Sequence, residues 1–402
     1  MPVEPGEALE AGEWGRGRAP VVRGPGRDAG SGLRRWGRDT GSGLRRRGRA
    51  WVELLRLPAL LTVPGDALAG AAATGARPTR GTFLAVGASV SLYAAGMALN
   101  DWADRDEDAR DRPHRPLPSG RIRPAHALAA AGALTGAGLA LACGAGRTTG
   151  AVATALAATV WAYDLRLKGT AAGPAAMGTA RGLDLLMGAA ATRKAGAPGT
   201  LPQSLTAAAT LAAHTTAVTT VSRNETQGGS VTGPLTALAT GTAIAAALLA
   251  PRARDPRRGR GDDRAAAGGV HPRAAGDGLP SPHTEDGVGG GTGLSAKAPR
   301  LQSSRRDNPA APLAQRRQAT SPAPIALTLP VTAYATTVLR PLFHAALNPS
   351  PPLTQRAVGA GIRALVPLQS ALAARSGAPV TALATLALAP LARHFAKKVS
   401  VT

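Results

Sequence analysis

Cysteine is nearly absent: Cys143 is the single one in 402 residues. The chain therefore forms no intrachain disulfide and no cysteine-ligated metal cluster, and Cys143, inside an apolar block, is expected to be a small buried hydrophobe. Aromatics are scarce too, with three Phe, five Trp and three Tyr. Acids number 24 against 47 Lys and Arg, a net charge of +23. That excess would suit nucleic acid, but the arginines lie in tracts outside the apolar blocks and not among stacking aromatics. They read instead as positive charge on the cytoplasmic side and in tails, with no nucleic-acid partner. No apolar segment follows Met1, so no signal peptide is expected.

What the chain does have is blocks. Residues 81–100, 124–144, 147–163, 203–221, 234–250, 324–339 and 377–392 are rich in Ala, Leu, Val, Gly and Thr and almost free of charge. Each approaches the roughly 20 residues needed to cross a bilayer core. The mean hydropathy near zero averages these blocks with two polar tracts. Residues 1–50 contain an eleven-residue repeat, GRDAGSGLRRW from Gly26 and GRDTGSGLRRR from Gly37. They read as a disordered basic arm. Residues 251–323 read as a disordered Arg/Gly/Pro-rich insertion.

The expected fold is all-α, a polytopic membrane bundle of about nine transmembrane helices. Helices 1–7 fall in residues 51–250, and helices 8–9 with an interfacial amphipathic helix, Thr354 to Ala374, in 324–402. A first span begins near Trp51, bent by Pro58 and Pro64, and Asp66 within it should face the interior. A weaker span near 172–192 carries Arg181 and Asp184 one turn apart, a spacing that suits charges paired in a cavity. Starting inside, the loops after the second, fourth and sixth spans face the cytoplasm, and the arginine-rich insertion falls on the other side, against the positive-inside rule. The protein is expected to be an integral, multi-pass cell (inner) membrane protein with its site facing the cytoplasm.

The first of those loops holds the strongest chemical signal, NDWADRDEDARDRPHRPLPSGRI from Asn100 to Ile122. Asp101, Asp104 and Asp108 fall at steps of three and four residues, one helix face, with Asn100 at its head. Mg²⁺ takes oxygen ligands and is typically held by one or two carboxylates plus substrate phosphates. The three acids suit such an ion, and Arg112, Arg115 and Arg121 suit a diphosphate; the bland reading is a charge-paired helix end.

The run NDxxDxxxD followed by PxRPLPSG resembles the first signature of the UbiA superfamily of intramembrane prenyltransferases. The resemblance covers the chain from about Leu54 onward, apart from the insertion. It implies a nine-helix bundle, a prenyl diphosphate bound through Mg²⁺ at the cytoplasmic face, and transfer of the prenyl group to an acceptor, aromatic or hydroxyl. Asn100, Asp101, Asp104 and Asp108 become the metal-diphosphate residues, with Asp104, Asp108 and Lys168 catalytic, and Arg115 lies in the matching RP turn. The second loop, YDLRLKGT, is similar to the family's Tyr-and-Lys loop, which makes Lys168 a diphosphate contact with Tyr163 and Asp164 beside it. Arg112, Arg181, Asp184 and Arg223 are further substrate-binding candidates.

The third loop departs from the pattern. Family members present DxxD or DxEDD followed by Gly, whereas this chain has SRNETQGG from Ser222. Glu225 alone keeps an acidic position as a metal ligand, and Arg223 adds a positive charge that would neutralise diphosphate oxygens. This change resembles the EboC-like branch found in bacterial gene clusters. For the acceptor's proton the titratable candidates are Asp66, Asp184 and His214. Two other readings compete: a CDP-alcohol phosphotransferase, whose longer Asp pattern is not visible, and a catalytically altered UbiA-like protein acting in transport or as a scaffold.

Overall fold

A computed structural model describes residues 47–56, 60, 62–193, 201–225, 228–251 and 322–400. The expected disordered arm and insertion lie almost wholly outside these residues. Among the described residues the chain is all-helical, without strands. A helix over residues 47–54 (α1) is followed by α2 (Pro64–Ala73), α3 (Arg80–Ala103), α4 (Arg105–Asp111), α5 (Pro124–Ala145) and α6 (Arg147–Ala162). A π-helical turn, Tyr163–Leu167, leads to α7 (Gly173–Thr192), α8 (Leu201–Ser222) and α9 (Thr232–Leu249). After the insertion come α10 (Pro322–Leu347), α11 (Pro351–Arg375) and α12 (Pro379–Ser400).

Local chemistry sets these boundaries. Thr79 caps α3, its Oγ1 accepting from Thr82 N while its own N–H donates to Thr82 Oγ1, a reciprocal box that satisfies two otherwise orphaned donors. Pro at the first turn opens α2, α5, α7 and α11, where a missing N–H costs nothing. Among the described residues four helices are long and apolar enough to cross a membrane: α3, α5, α9 and α11. Among the remaining long helices α8 is rich in threonine, whose hydroxyls lower its mean hydropathy. Yet Thr206, Thr210 and Thr220 each donate to the carbonyl four residues back. A hydroxyl satisfied within its own helix presents little unmet polarity to lipid.

Three expectations change. The first span is broken: Pro64 starts a fresh ten-residue helix, α2, which is buried along nearly all its length. The segment expected at the interface, α11, is instead an interior helix. Its Ala357, Ala360, Ala364, Leu368 and Ala371 are buried, and it packs on α2, α8, α10 and α12. Its arginines suggest an interfacial position in the sequence, but Arg356 and Arg363 share the outward face and Arg375 leaves the helix end to donate to Leu248 O and Ala250 O. Cys143 also differs, being exposed, because most of α5 faces outward.

Candidate functional site

The loops after α3, α6 and α8 converge at one end of the bundle around a cavity of about 510 Å³. Each is anchored by its own chemistry. After α4 the chain turns through Pro116, Leu117 and Gly120. Leu117 and Ile122 are buried beside Leu54 and Leu99, and Gly120 takes a φ of +72° that favours a residue without Cβ. After α6 the helix widens into the π turn, with Lys168 N donating to Tyr163 O at 2.9 Å, a local form frequent at functional sites. After α8, Gly229 N donates to Pro349 O at 2.8 Å, tying the third loop to the α10–α11 connection.

The cavity mouth gathers Asn100, Asp104, Arg112 and Arg115 from the first loop, Tyr163, Asp164 and Lys168 from the second, and Ser222 and Glu225 from the third. Asp104 accepts from the Lys168 ammonium, and Asp164 Oδ1 accepts from Asn100 Nδ2 at 3.2 Å. Burial pushes the Asp164 carboxyl up to about 7, opposed by the Asn100 hydrogen bond and the Lys168 charge. The Tyr163 phenol is raised by burial and then by the nearby Asp164 and Asp104 charges. Below the mouth the walls are apolar, with Leu92, Met97, Leu156, Val160, Met177, Val358 and Ile362. The inner end is polar, with Ser89, Arg181 and Asp184.

Asp101 and Asp108 do not line the cavity; they hold its arginines. Asp108, buried, receives Arg115 at 2.5 Å and Arg112 at 3.4 Å. Asp101, also buried, receives Arg56 at 3.2 Å and lies 3.9 Å from Arg115. The helical spacing does put the acids on one face, but beyond Asp104 the chain bends into α4 and the prolyl turn. That bend returns two arginines onto Asp108. Arg121 turns away to Glu53, at 2.6 and 3.1 Å. Arg223 Nη1 donates to Thr170 O at 2.8 Å, clamping the third loop to the second without reaching the cavity.

Deeper in the bundle Arg181 pairs with Asp66, whose Oδ1 also accepts from Gln369 Nε2 at 2.6 Å. Asp184 Oδ2 accepts from Ser89 Oγ at 2.7 Å. Sequence spacing suggests an Arg181–Asp184 pair, but the arginine is taken by Asp66 from α2. His214 lies away from the cavity, between the Tyr334 hydroxyl and Gly361 O, each at 3.1 Å. It bridges α8 to α10 and α11.

Arg56 is the cavity residue that sequence reasoning missed. It is a lone base in an apolar run ahead of Pro58, and its φ of +48° is a strained backbone state that clusters at functional sites.

The donors suit Mg²⁺ in one sense. Among the described residues no group of three or more His, Cys, Asp or Glu is assembled to cage a metal. But Asn100, Asp104, Asp164 and Glu225 offer hard oxygens to one cavity lined by several cations, and Mg²⁺ needs only one or two carboxylates when phosphates complete its shell. Asp104 with Asn100 and Asp164 fits one such ion; Glu225 stands alone on the facing loop.

Comparison with known proteins bears on the same residues. The UbiA prenyltransferase family model matches residues 59–253, which contain all three loops. A digeranylgeranylglyceryl phosphate synthase of Methanopyrus kandleri is 36% identical over 127 residues, 30% of this chain and 45% of the relative. That of Ignicoccus hospitalis is 35% identical over 122 residues, 30% of this chain and 40% of the relative. The chain thus spans less than half the length of these curated relatives. Among solved structures, a UbiA homolog from Aeropyrum pernix K1 is 15% identical over 82% of this chain and 96% of its own, with a TM-score of 0.49. A UbiA homolog from Archaeoglobus fulgidus bound to GPP and Mg²⁺ is 16% identical over 50% and 79%, with a TM-score of 0.38.

Proposed function

From its UbiA prenyltransferase match over residues 59–253, we propose that this protein is a Mg²⁺-dependent membrane prenyltransferase, moving a prenyl group from a prenyl diphosphate to an aromatic or hydroxyl acceptor at the cytoplasmic face. The observation that supports this most is the cavity itself, with cations and oxygen donors at its mouth and an apolar shaft below. A diphosphate with an isoprenoid tail has that same distribution of charge and hydrocarbon.

In this reading Lys168, Arg112 and Arg115 bind the diphosphate oxygens, Arg56 reinforcing them, and Asp101 and Asp108 hold the arginines in place. The chemistry that Mg²⁺ supplies, held by Asp104, Asn100 and Asp164, is further neutralisation of the leaving diphosphate. Fixed positive charge at the mouth favours rupture of the allylic C–O bond, because it meets negative charge where that charge develops. The apolar wall from Leu92 to Ile362 excludes water that would quench a carbocation. The acceptor then bonds to the prenyl carbon as its proton passes to the released diphosphate. Arg181 and Asp184 lie at the far end and do not touch the diphosphate.

Membranes containing the protein, given labelled C10 to C20 prenyl diphosphates and a lipid extract, should form labelled product with Mg²⁺ and none with EDTA. Asp104→Asn should lower the rate at least a hundredfold. Absence of product from every donor, with Asp104→Asn indistinguishable from the parent, would leave the transport or scaffold reading in its place.

A further inference from the structure

The inner end of the cavity is closed by a polar pair, and we propose that this pair fixes the length of the prenyl tail, stopping it at about three isoprenoid units. The inference rests on the donor reading above. The cavity-lining residues of α3 are Ser89, Leu92, Tyr93, Gly96, Met97 and Asn100, with Asp104 at its C-cap, one continuous face that ends at Ser89. On α7 the lining runs through Met177, Ala180 and Arg181 and ends at Asp184. The two faces end on each other, Ser89 Oγ donating to Asp184 Oδ2 at 2.7 Å. Beyond them lie Ala85 and Met187, fully buried in a packed apolar cluster.

Ser89 precedes Asn100 by eleven positions of one unbroken helix, an axial depth of about 16 Å at about 1.5 Å per residue. An extended isoprenoid unit adds four backbone bonds of about 1.5 Å, or about 5 Å along a zigzag. Three units therefore reach the pair.

A fourth unit would press hydrocarbon against a buried carboxyl group. Asp184 Oδ1 has no hydrogen-bond partner among the described residues, and Asp66, its acidic neighbour, is already held by Arg181 and Gln369. Hydrocarbon cannot compensate a buried polar oxygen that lacks a hydrogen bond. An apolar floor would let the tail fold back along it. A polar one with an unmet oxygen ends it.

The test is binding, which needs no acceptor. Purified protein in detergent is titrated with non-hydrolysable prenyl thiodiphosphates of C5, C10, C15 and C20, with Mg²⁺, and Kd is read from the ligand-induced shift in thermal unfolding. Affinity should rise with each unit to C15, and C20 should bind at least tenfold more weakly than C15. In Ser89→Ala/Asp184→Ala, C20 should become at least as tight as C15. Ala180→Phe, which fills the shaft one turn above the pair, should move the break one unit shorter, so that C10 outbinds C15. It serves as a second test should the double variant fail to fold. A parent affinity that keeps rising through C20, or a break unmoved by either variant, overturns the stop. Binding of no prenyl analogue at any length overturns the donor reading itself.

Discussion

At the residue scale, the acids of the first loop divide into two kinds of work. Asp104 faces the cavity, whereas Asp101 and Asp108 are buried under the arginines they orient. Spacing showed that the acids share a face but not that the chain would fold its own arginines back onto it. Asp164 carries a separate consequence, since its carboxyl is held near 7 by burial. A carboxyl raised in the folded state binds its proton more tightly than in the unfolded chain. Its contribution to stability is therefore complete below about 4 and lost as pH rises through about 7. At about 1.4 kcal/mol per pKa step, ionisation from 3.8 to about 7 costs the metal-free fold roughly 4 kcal/mol. Asp164→Asn keeps an acceptor for Asn100 and removes the charge. Metal-free parent protein should lose thermal stability between pH 5 and pH 8, while Asp164→Asn should be flatter and more stable at pH 8. Parallel profiles would remove Asp164 as the titrating group.

At the element scale, most helices were legible in the sequence, because blocks of Ala, Leu, Val and Thr bounded by Pro and Gly leave few other solutions in lipid. The failures have physical reasons. α2 reads in the sequence as part of a longer span because a proline inside an apolar run also fits a bend, whereas Pro64 forms a first turn. α11 reads as interfacial because Arg356 and Arg363 stand at helical spacing, while the small residues between them carry the packing. Ala357, Ala360, Gly361 and Ala364 form a narrow face on which α8 seats, with His214 Nε2 facing Gly361 O at 3.1 Å. A Cβ at Gly361 would lie 2.5 Å from Val218 Cγ2, well inside contact. Gly361→Val should therefore cost about 1–3 kcal/mol, as overpacking typically does, while Ile362→Val on the same helix, at a 55% exposed position, should be nearly neutral. Unfolding of the two variants in the same detergent checks this. Equal tolerance would return α11 to the interface.

At the scale of the whole molecule, three loops far apart in sequence form one site because successive long helices alternate direction. The α3, α6 and α8 exits therefore share an end. The α5–α6 turn at Gly146 lies at the other end, where a second cavity collects Gly146, Arg147, Arg193 and Leu201. The site end exposes Arg110, Arg112, Arg121, Arg123 and Arg166, and such charge favours retention on the cytoplasmic side. The arginine-rich insertion follows α9 from the opposite end, and long segments translocate largely regardless of their charge. The lone cysteine makes this orientation measurable, because Cys143→Ser at an exposed position leaves a chain without thiols. In that background Ser119→Cys, in the prolyl turn of the site end, should react with a membrane-impermeant maleimide only after the cytoplasmic side is opened. Thr148→Cys, at the start of α6, should react in intact cells. The reverse pattern would place the cavity mouth outside, beyond the cytoplasmic prenyl donors that the proposed function requires. Labelling of both positions from one side would mean that α5 does not cross the bilayer and that the alternation bringing the three loops together fails.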